Sequence, residues 1–184
     1  MGAILDLIGS YIFKAAMIGI ILATSVSLNE VMVKKAQTTN LEKSMNVSMS
    51  VFEWDIRNLG YNYFGSSSVI ECDNHKLKFY SDTQNDGVPE EVKWDIDSEY
   101  VVVGDSTVKR YNVEREAGGS KYVVFRRLRH WSMVFLDVNG NQTTTPSAVR
   151  GIQVRLTAES PFVVNDEILT ATRQITLYPA NLSL

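Results

Sequence analysis

Apolar residues dominate the first 28 positions of the chain and then give way to a mixed pattern. Asp6 and Lys14 are the only charged side chains within residues 3–28. A helix over residues 4–28 is about 37 Å long, which is enough for a hydrocarbon core of roughly 30 Å. Lys14 costs about 2.5 to 3.5 kcal/mol inside a membrane unless its ammonium snorkels to the surface. We therefore predict that residues 1–30 form a projecting apolar helix.

A secretory signal peptide is the alternative interpretation of this apolar segment. The uncharged run that starts at Ala15 resembles an h-region, and Ala23-Thr24-Ser25 has the small residues of a cleavage site. Asp6 ahead of the run is atypical, because signal peptides begin with a positively charged region. A retained helix is therefore the favoured interpretation, with the cleaved signal kept as the alternative.

Residues 31–60 are predicted to continue as an amphipathic helix. Six apolar residues spaced by three or four positions form one stripe that we expect to pack on the rest of the protein: Leu41, Met45, Met49, Phe52, Ile56 and Leu59. The poor helix formers Thr38-Thr39-Asn40 predict a kink or break, and Gly60 predicts the helix end. The whole helical region would be about 80 Å long, whereas a compact chain of this size has a radius of gyration of about 16 Å. Part of the helix must project.

From Val69 the hydrophobic period changes to two and turn residues recur, which predicts an antiparallel β domain over residues 61–184. Gly118-Gly119 is predicted to close one hairpin. The long helix and the antiparallel strands together predict a fold of the α+β class. The strand candidates are Val69–Glu71, Lys76–Tyr80, Glu91–Ile96, Tyr100–Gly104, Thr107–Glu114, Lys121–Arg127, Ser132–Val138, Val149–Ala158 and Leu169–Tyr178.

Charge and cysteine content narrow the function classes. The formal charge of −3, from 18 Lys and Arg against 21 Asp and Glu, gives no overall attraction for nucleic acid. Cys72 is the only cysteine, so an internal disulfide and a cysteine-based zinc cluster are excluded. With two histidines and no recognisable set of acid, base and nucleophile, the chain is not expected to be an enzyme.

A short basic stretch, Phe125–Trp131, contains three arginines among aromatic residues. Arginines and aromatics together can contact phosphates and stack on bases. In an acidic protein a cross-strand charge ladder is the better interpretation, in which the segment Glu114-Arg115-Glu116 lies opposite Arg126 and Arg127 through the hairpin.

The segment Asp82–Glu91 places several carboxylates around a glycine turn. Calcium prefers six to eight oxygen ligands, so Asp82, Asp86 and Glu90 are candidate calcium ligands, although their spacing is not that of an EF-hand. A solvated hairpin loop with Asp-Gly turn chemistry explains the same residues. No other cofactor is expected.

The order of these segments resembles type IV pilin-like proteins, and most closely the PilW-type minor pilins and pseudopilins. The likeness covers most of the chain, since a long apolar helix runs into Phe52–Asn62 and only β-hairpins follow. Asp55, Arg57, Gly60 and Tyr61 match the residues on which the helix closes in that family. Further matches are the acidic loop Phe79–Gly87 and the late strands Val149–Leu156 and Thr172–Leu177.

The resemblance implies a structural subunit of a pilus-like extracellular filament or pseudopilus. Such a subunit is anchored in the inner membrane before assembly, then reaches the cell surface and packs with copies of itself or related subunits. No prepilin leader with its glycine–phenylalanine cleavage site is recognisable. Two interpretations of Asp6 stay open: it replaces the family's glutamate once Met1 is removed, or it is a first-turn acid favoured by the helix dipole. The alternative function is a β-domain binding module on a permanent single-pass membrane anchor.

Residues of the apolar helix are the expected assembly contacts: Ile4, Leu5, Asp6, Ile8, Lys14, Ile18, Ile21 and Leu22. Asp6 and Lys14 are about 12 Å apart along one helix, too far for a salt bridge within the chain. Parallel helices offset by that distance would pair Lys14 of one copy with Asp6 of the next. The alternative is that Lys14 snorkels to headgroups while Asp6 interacts with the helix dipole.

Overall fold

The computed structural model describes residues 2–103, 106–164 and 167–182, and leaves the side chains of residues 2–7, 103, 106, 162 and 164 undescribed. Within these ranges the chain forms one helix, eight strands and two short 3-10 turns. The elements are α1 (Gly2–Arg57), β1 (Val69–Asp73), β2 (Lys76–Ser81), β3 (Glu90–Val103), β4 (Ser106–Ala117), β5 (Ser120–Leu128), β6 (His130–Leu136), a 3-10 turn (Pro146–Ala148), β7 (Gly151–Val164), β8 (Glu167–Leu177) and a second 3-10 turn (Ala180–Leu182).

The helix α1 is continuous over 56 residues, about 84 Å, so the predicted break at Thr38 is wrong. The Thr38 hydroxyl donates to the Lys34 carbonyl at 3.0 Å, which is a geometry that a helix tolerates. The helix ends at Arg57, three residues before the predicted stop. Gly60 instead adopts a left-handed conformation at φ 79°, and its amide donates to the Tyr80 carbonyl of β2. Leu59 therefore lies in the turn after the helix.

Two antiparallel sheets follow the helix, which confirms the α+β class. One sheet has the order β1-β2-β3-β4-β5 and the other has the order β6-β7-β8. The predicted strands Glu91–Ile96 and Tyr100–Gly104 fall on the single long strand β3, except for Gly104, which lies outside the described residues. The β4–β5 hairpin closes as predicted, with Gly118 and Gly119 both at positive φ.

The C-terminal quarter of α1 packs against both sheets and closes the core. Met49, Phe52 and Ile56 are completely buried, Met45 is buried and Leu41 is half-buried against the same core. The Phe52 ring makes edge-on contacts with Trp94 of β3 at 5.0 Å and with Trp131 of β6 at 6.1 Å between ring centres. One helix residue thus joins the two sheets.

The β7–β8 hairpin runs beside the helix toward its N-terminal half. Lys34 on α1 forms an ion pair with Glu167 of β8 at 2.8 Å, and Arg173 of β8 reaches Glu53 at 3.2 Å. The strand β6 is short, whereas β7 continues well past it. The end of β5 approaches β7, since the Arg129 amide donates to the Thr157 carbonyl at 2.8 Å.

Candidate assembly surface and the sites around it

The N-terminal half of α1 leaves its apolar side chains open. Residues 8–36 are all exposed, on every side of the helix. The segment belongs to the one described helix that is long and apolar enough to cross a membrane, and none of its most apolar 18-residue window is buried. By length and composition this segment qualifies as a membrane anchor or as a signal sequence.

Among the predicted assembly residues, Ile8, Ile18, Ile21 and Leu22 each have more than half of their surface exposed. The Lys14 ammonium is also exposed and lies 5.9 Å from the centre of the Tyr11 ring, a cation–π distance. The backbone at Ile4, Leu5 and Asp6 is helical, while their side chains lie outside the described part of the structure.

A buried ion pair fixes the packed end of the helix. Asp55 is completely buried and accepts hydrogen bonds from Nε and Nη2 of Arg115 on β4, at 2.6 and 2.8 Å. The indole Nε1 of Trp94 donates to the same carboxylate at 2.8 Å. Burial raises the pKa of Asp55, and the hydrogen bonds and charge of Arg115 act in the opposite direction. The pair ties α1 to two neighbouring strands.

The strand register corrects the predicted charge ladder. Glu114 lies opposite Val123 and Arg115 lies opposite Tyr122, because the two-residue turn at Gly118-Gly119 fixes the register of this end of the hairpin, and the pairing becomes irregular only beyond Glu114. Glu114 forms its ion pair with Lys121 at 2.7 Å. In the described residues neither Arg126 nor Arg127 forms an ion pair, and both are exposed. Arg127 has φ 55°, which marks the irregularity and places both arginines outside simple strand alternation.

The acidic loop is organised by Asp82. Its Oδ1 accepts the Asp86 amide at 3.0 Å, and its Oδ2 accepts the Gly87 amide at 2.9 Å and Asn62 Nδ2 at 2.7 Å. These donors lower the pKa of Asp82, the Asn62 amide most of all. Glu90 accepts from the Thr83 hydroxyl, and burial raises its pKa.

The three candidate calcium ligands are therefore already hydrogen-bonded to the loop. Asp86 Oδ1 accepts the Val88 amide at 2.9 Å, in addition to the contacts of Asp82 and Glu90. Within the described ranges no three acidic, histidine or cysteine side chains are arranged to hold a metal ion. Calcium binding stays a prediction, and a higher Tm in millimolar calcium that is lost in Asp86→Ala is its test.

Substitution of Asp82 by asparagine is expected to lower the Tm at pH 7. The Tm of the variant should also decrease less than that of the wild type when the pH is lowered. A carboxylate whose folded-state pKa is lowered stabilises the fold above its unfolded pKa of about 3.9, and that contribution is lost as the pH falls through the folded value. Thermal melts between pH 2.5 and 7 measure it, with the exposed Glu99→Gln as the matched control. Parallel curves of Tm against pH for the wild type and Asp82→Asn would contradict a stabilising role of the Asp82 carboxylate.

Comparisons of the chain with protein-family models, with curated proteins and with solved structures find no match. The described structure defines a class of protein: a β domain of two antiparallel sheets that carries a long, exposed apolar helix.

Proposed function

We propose that the protein is a structural subunit of a pilus-like extracellular filament or pseudopilus, which polymerises through its N-terminal apolar helix. The observation that carries the proposal is the exposure of apolar side chains on all sides of α1 over residues 8–36. Soluble monomers rarely leave a contiguous apolar surface larger than a few hundred Å². This helix requires a cover, either lipid or protein.

The shape of the molecule supports assembly with copies of itself. A helix that projects from one side of a domain makes head-to-tail contacts, since the helix of one copy and the surface it covers on another are different. Contacts of this kind generate open helical filaments when the rotation between copies does not close a ring. In a filament of this kind the apolar helices form the centre and the β domains face outward, and before assembly the same helix is held in the membrane.

A single-pass membrane-anchored binding module is the second candidate function. The groove beside β5, described below, favours the anchored module, because a binding surface on the β domain functions without polymerisation. Negative-stain electron microscopy of the purified full-length chain separates the candidates. Fibres with a regular subunit repeat support the filament subunit, whereas monomers that stay in mild detergent support the anchored module.

Within a filament, Lys14 of one copy is expected to pair with Asp6 of its neighbour. An ion left unpaired in a water-poor core costs on the order of 3 to 5 kcal/mol, so the pair would set an axial offset of about 12 Å between helices. Lys14→Met and Asp6→Leu should each reduce the yield of fibres, measured by sedimentation and microscopy. The exchanged variant Asp6→Lys with Lys14→Asp should recover part of the yield.

Wild-type yields from both single variants would eliminate the pairing but leave the filament itself intact. Met17→Leu, a volume-conserving change on the same exposed helix, is the matched control and should assemble normally.

A further inference from the structure

A groove runs between the two sheets on one side of α1. β5 is the last strand of its sheet, and its outer edge has no strand partner in the described ranges. β7 loses its partner β6 at the pair His130–Thr157 and continues as far as Val164 beside β8. These two strand edges face each other across a groove of about 700 Å³.

The lining of the groove shows that it follows a strand edge. All six consecutive residues from Val123 to Leu128 of β5 contribute to it. Side chains on one face of a strand come from alternate residues, so an uninterrupted run means that the backbone edge itself borders the space. On the other side Ala158 and Glu159 of β7 lie beyond the end of β6. A run of six residues matches the usual length of a strand.

Polar groups of α1 form the floor. The Ser48 hydroxyl donates to the Val124 carbonyl at 2.9 Å, and both residues border the groove. A carbonyl has two lone pairs and can accept a second donor. Gln37 also lines the groove.

The exposed charged side chains that line the groove include two unpaired arginines. Arg126 and Arg127 both line it, both are exposed, and neither forms an ion pair in the described structure. The third arginine of the lining, Arg110, is buried against Glu159 at 2.5 Å, and Arg129 approaches the same carboxylate at 3.5 Å. The two unpaired guanidiniums therefore select an anionic ligand, although the chain as a whole is acidic.

We propose that this groove binds an extended peptide segment of a partner protein, which adds as a strand along the outer edge of β5 and directs carboxylate side chains at Arg126 and Arg127. Main-chain hydrogen bonds supply the affinity in strand addition, and alternate side chains supply the specificity. The apolar wall residues Leu41 and Val163 face the same space and favour apolar side chains at the intervening positions. The segment is thus about six residues of alternating acidic and apolar character. The proposal does not depend on polymerisation.

The test measures, by fluorescence anisotropy, the binding of synthetic peptides to the full-length chain in mild detergent. The probe is a labelled octapeptide of alternating valine and aspartate. One control peptide replaces aspartate by lysine, and a second carries N-methyl groups on alternate amides, which blocks strand pairing and keeps the side chains. We expect binding of the acidic peptide and at least a tenfold loss of affinity for each control.

The groove itself is tested with Arg126→Glu combined with Arg127→Glu, which should weaken the acidic peptide at least tenfold. Arg155→Glu is the matched control, since Arg155 is an exposed arginine on β7 outside the groove, and it should bind as wild type does. Amide hydrogen exchange should slow in residues 123–128 when the peptide is bound.

Three results would overturn the proposal. They are no binding of the acidic peptide at 1 mM, equal binding of the N-methylated peptide, and full affinity in the double glutamate variant. Equal binding of the N-methylated peptide would show that the groove recognises carboxylate groups without strand pairing. Far-UV circular dichroism of each variant verifies that it is folded. Fibre formation by the wild type is measured in a separate experiment, so the filament proposal and the peptide-binding proposal can each fail without the other.

Discussion

Deletion of residues 1–28 should convert the chain into a soluble, folded monomer. The buried hydrophobic core begins at Met45 in the described structure, and the side chains of residues 8–28 are all exposed, so the deletion removes no described side chain that packs inside the β domain. It does remove the exposed apolar residues from Ile8 to Leu28, which form the larger part of the helix surface that requires lipid or other copies. Sedimentation velocity should show a single monomeric species without detergent, and circular dichroism should show a cooperative melt.

The control for this experiment is a second change inside the packed end of the helix. Phe52→Ala in the truncated chain should cost about 3 to 5 kcal/mol, because the ring is completely buried between Trp94 and Trp131. An unfolded or insoluble truncation with Phe52 intact would mean that the first 28 residues belong to the domain core.

Asp55→Ala is expected to destabilise the domain by about 3 to 5 kcal/mol, since the variant leaves Arg115 without its buried partner. A loss of this size is a large fraction of the stability of an ordinary domain, which is about 5 to 15 kcal/mol. The indole of Trp94 also loses its acceptor. Urea titration of the truncated or full-length chain, followed by tryptophan fluorescence, measures the change.

A double substitution separates the ion pair from simple loss of packing. Asp55→Leu with Arg115→Met replaces both charges by apolar groups and should be clearly more stable than either single variant. The pair of the half-buried Glu114 with the exposed Lys121 is the comparison, and Glu114→Ala should cost less than about 1 kcal/mol. Equal effects of Asp55→Ala and Glu114→Ala would rule out a central role for the buried pair.

Periodicity was sufficient to predict the helix, the change to β structure and the α+β class, because both patterns are local. Met49, Phe52 and Ile56 stand on the predicted stripe and are completely buried. The predicted break at Thr38 is wrong because the hydroxyl bonds to the preceding turn and the ion pair of Lys34 with Glu167 supports the same region. Weak helix propensity is here outweighed by context.

The features that a single sequence could not provide depend on register and tertiary pairing. Arg115 was assigned to the predicted charge ladder, whereas it stands with Val113 and Ala117 on the buried face of β4 and pairs with Asp55 of the helix, a tertiary contact that the sequence pattern does not show. The groove exists because β6 ends early while β7 continues, a difference in length between strands that periodicity does not reveal. The side chain of Asp6, on which the pairing with Lys14 depends, lies outside the described residues.

The uninterrupted helix also has a mechanical consequence. The segment from Ile8 to Val33 is about 38 Å long and lies beyond the ion pair of Lys34 with Glu167, whereas the part held by the β domain, from Lys34 to Arg57, is about 35 Å long. The free and the held parts of the helix are therefore of similar length, so a sideways displacement of the free end is transmitted to the β domain with little amplification. The bending stiffness of a whole fibre would then depend on the contacts along Lys34–Arg57.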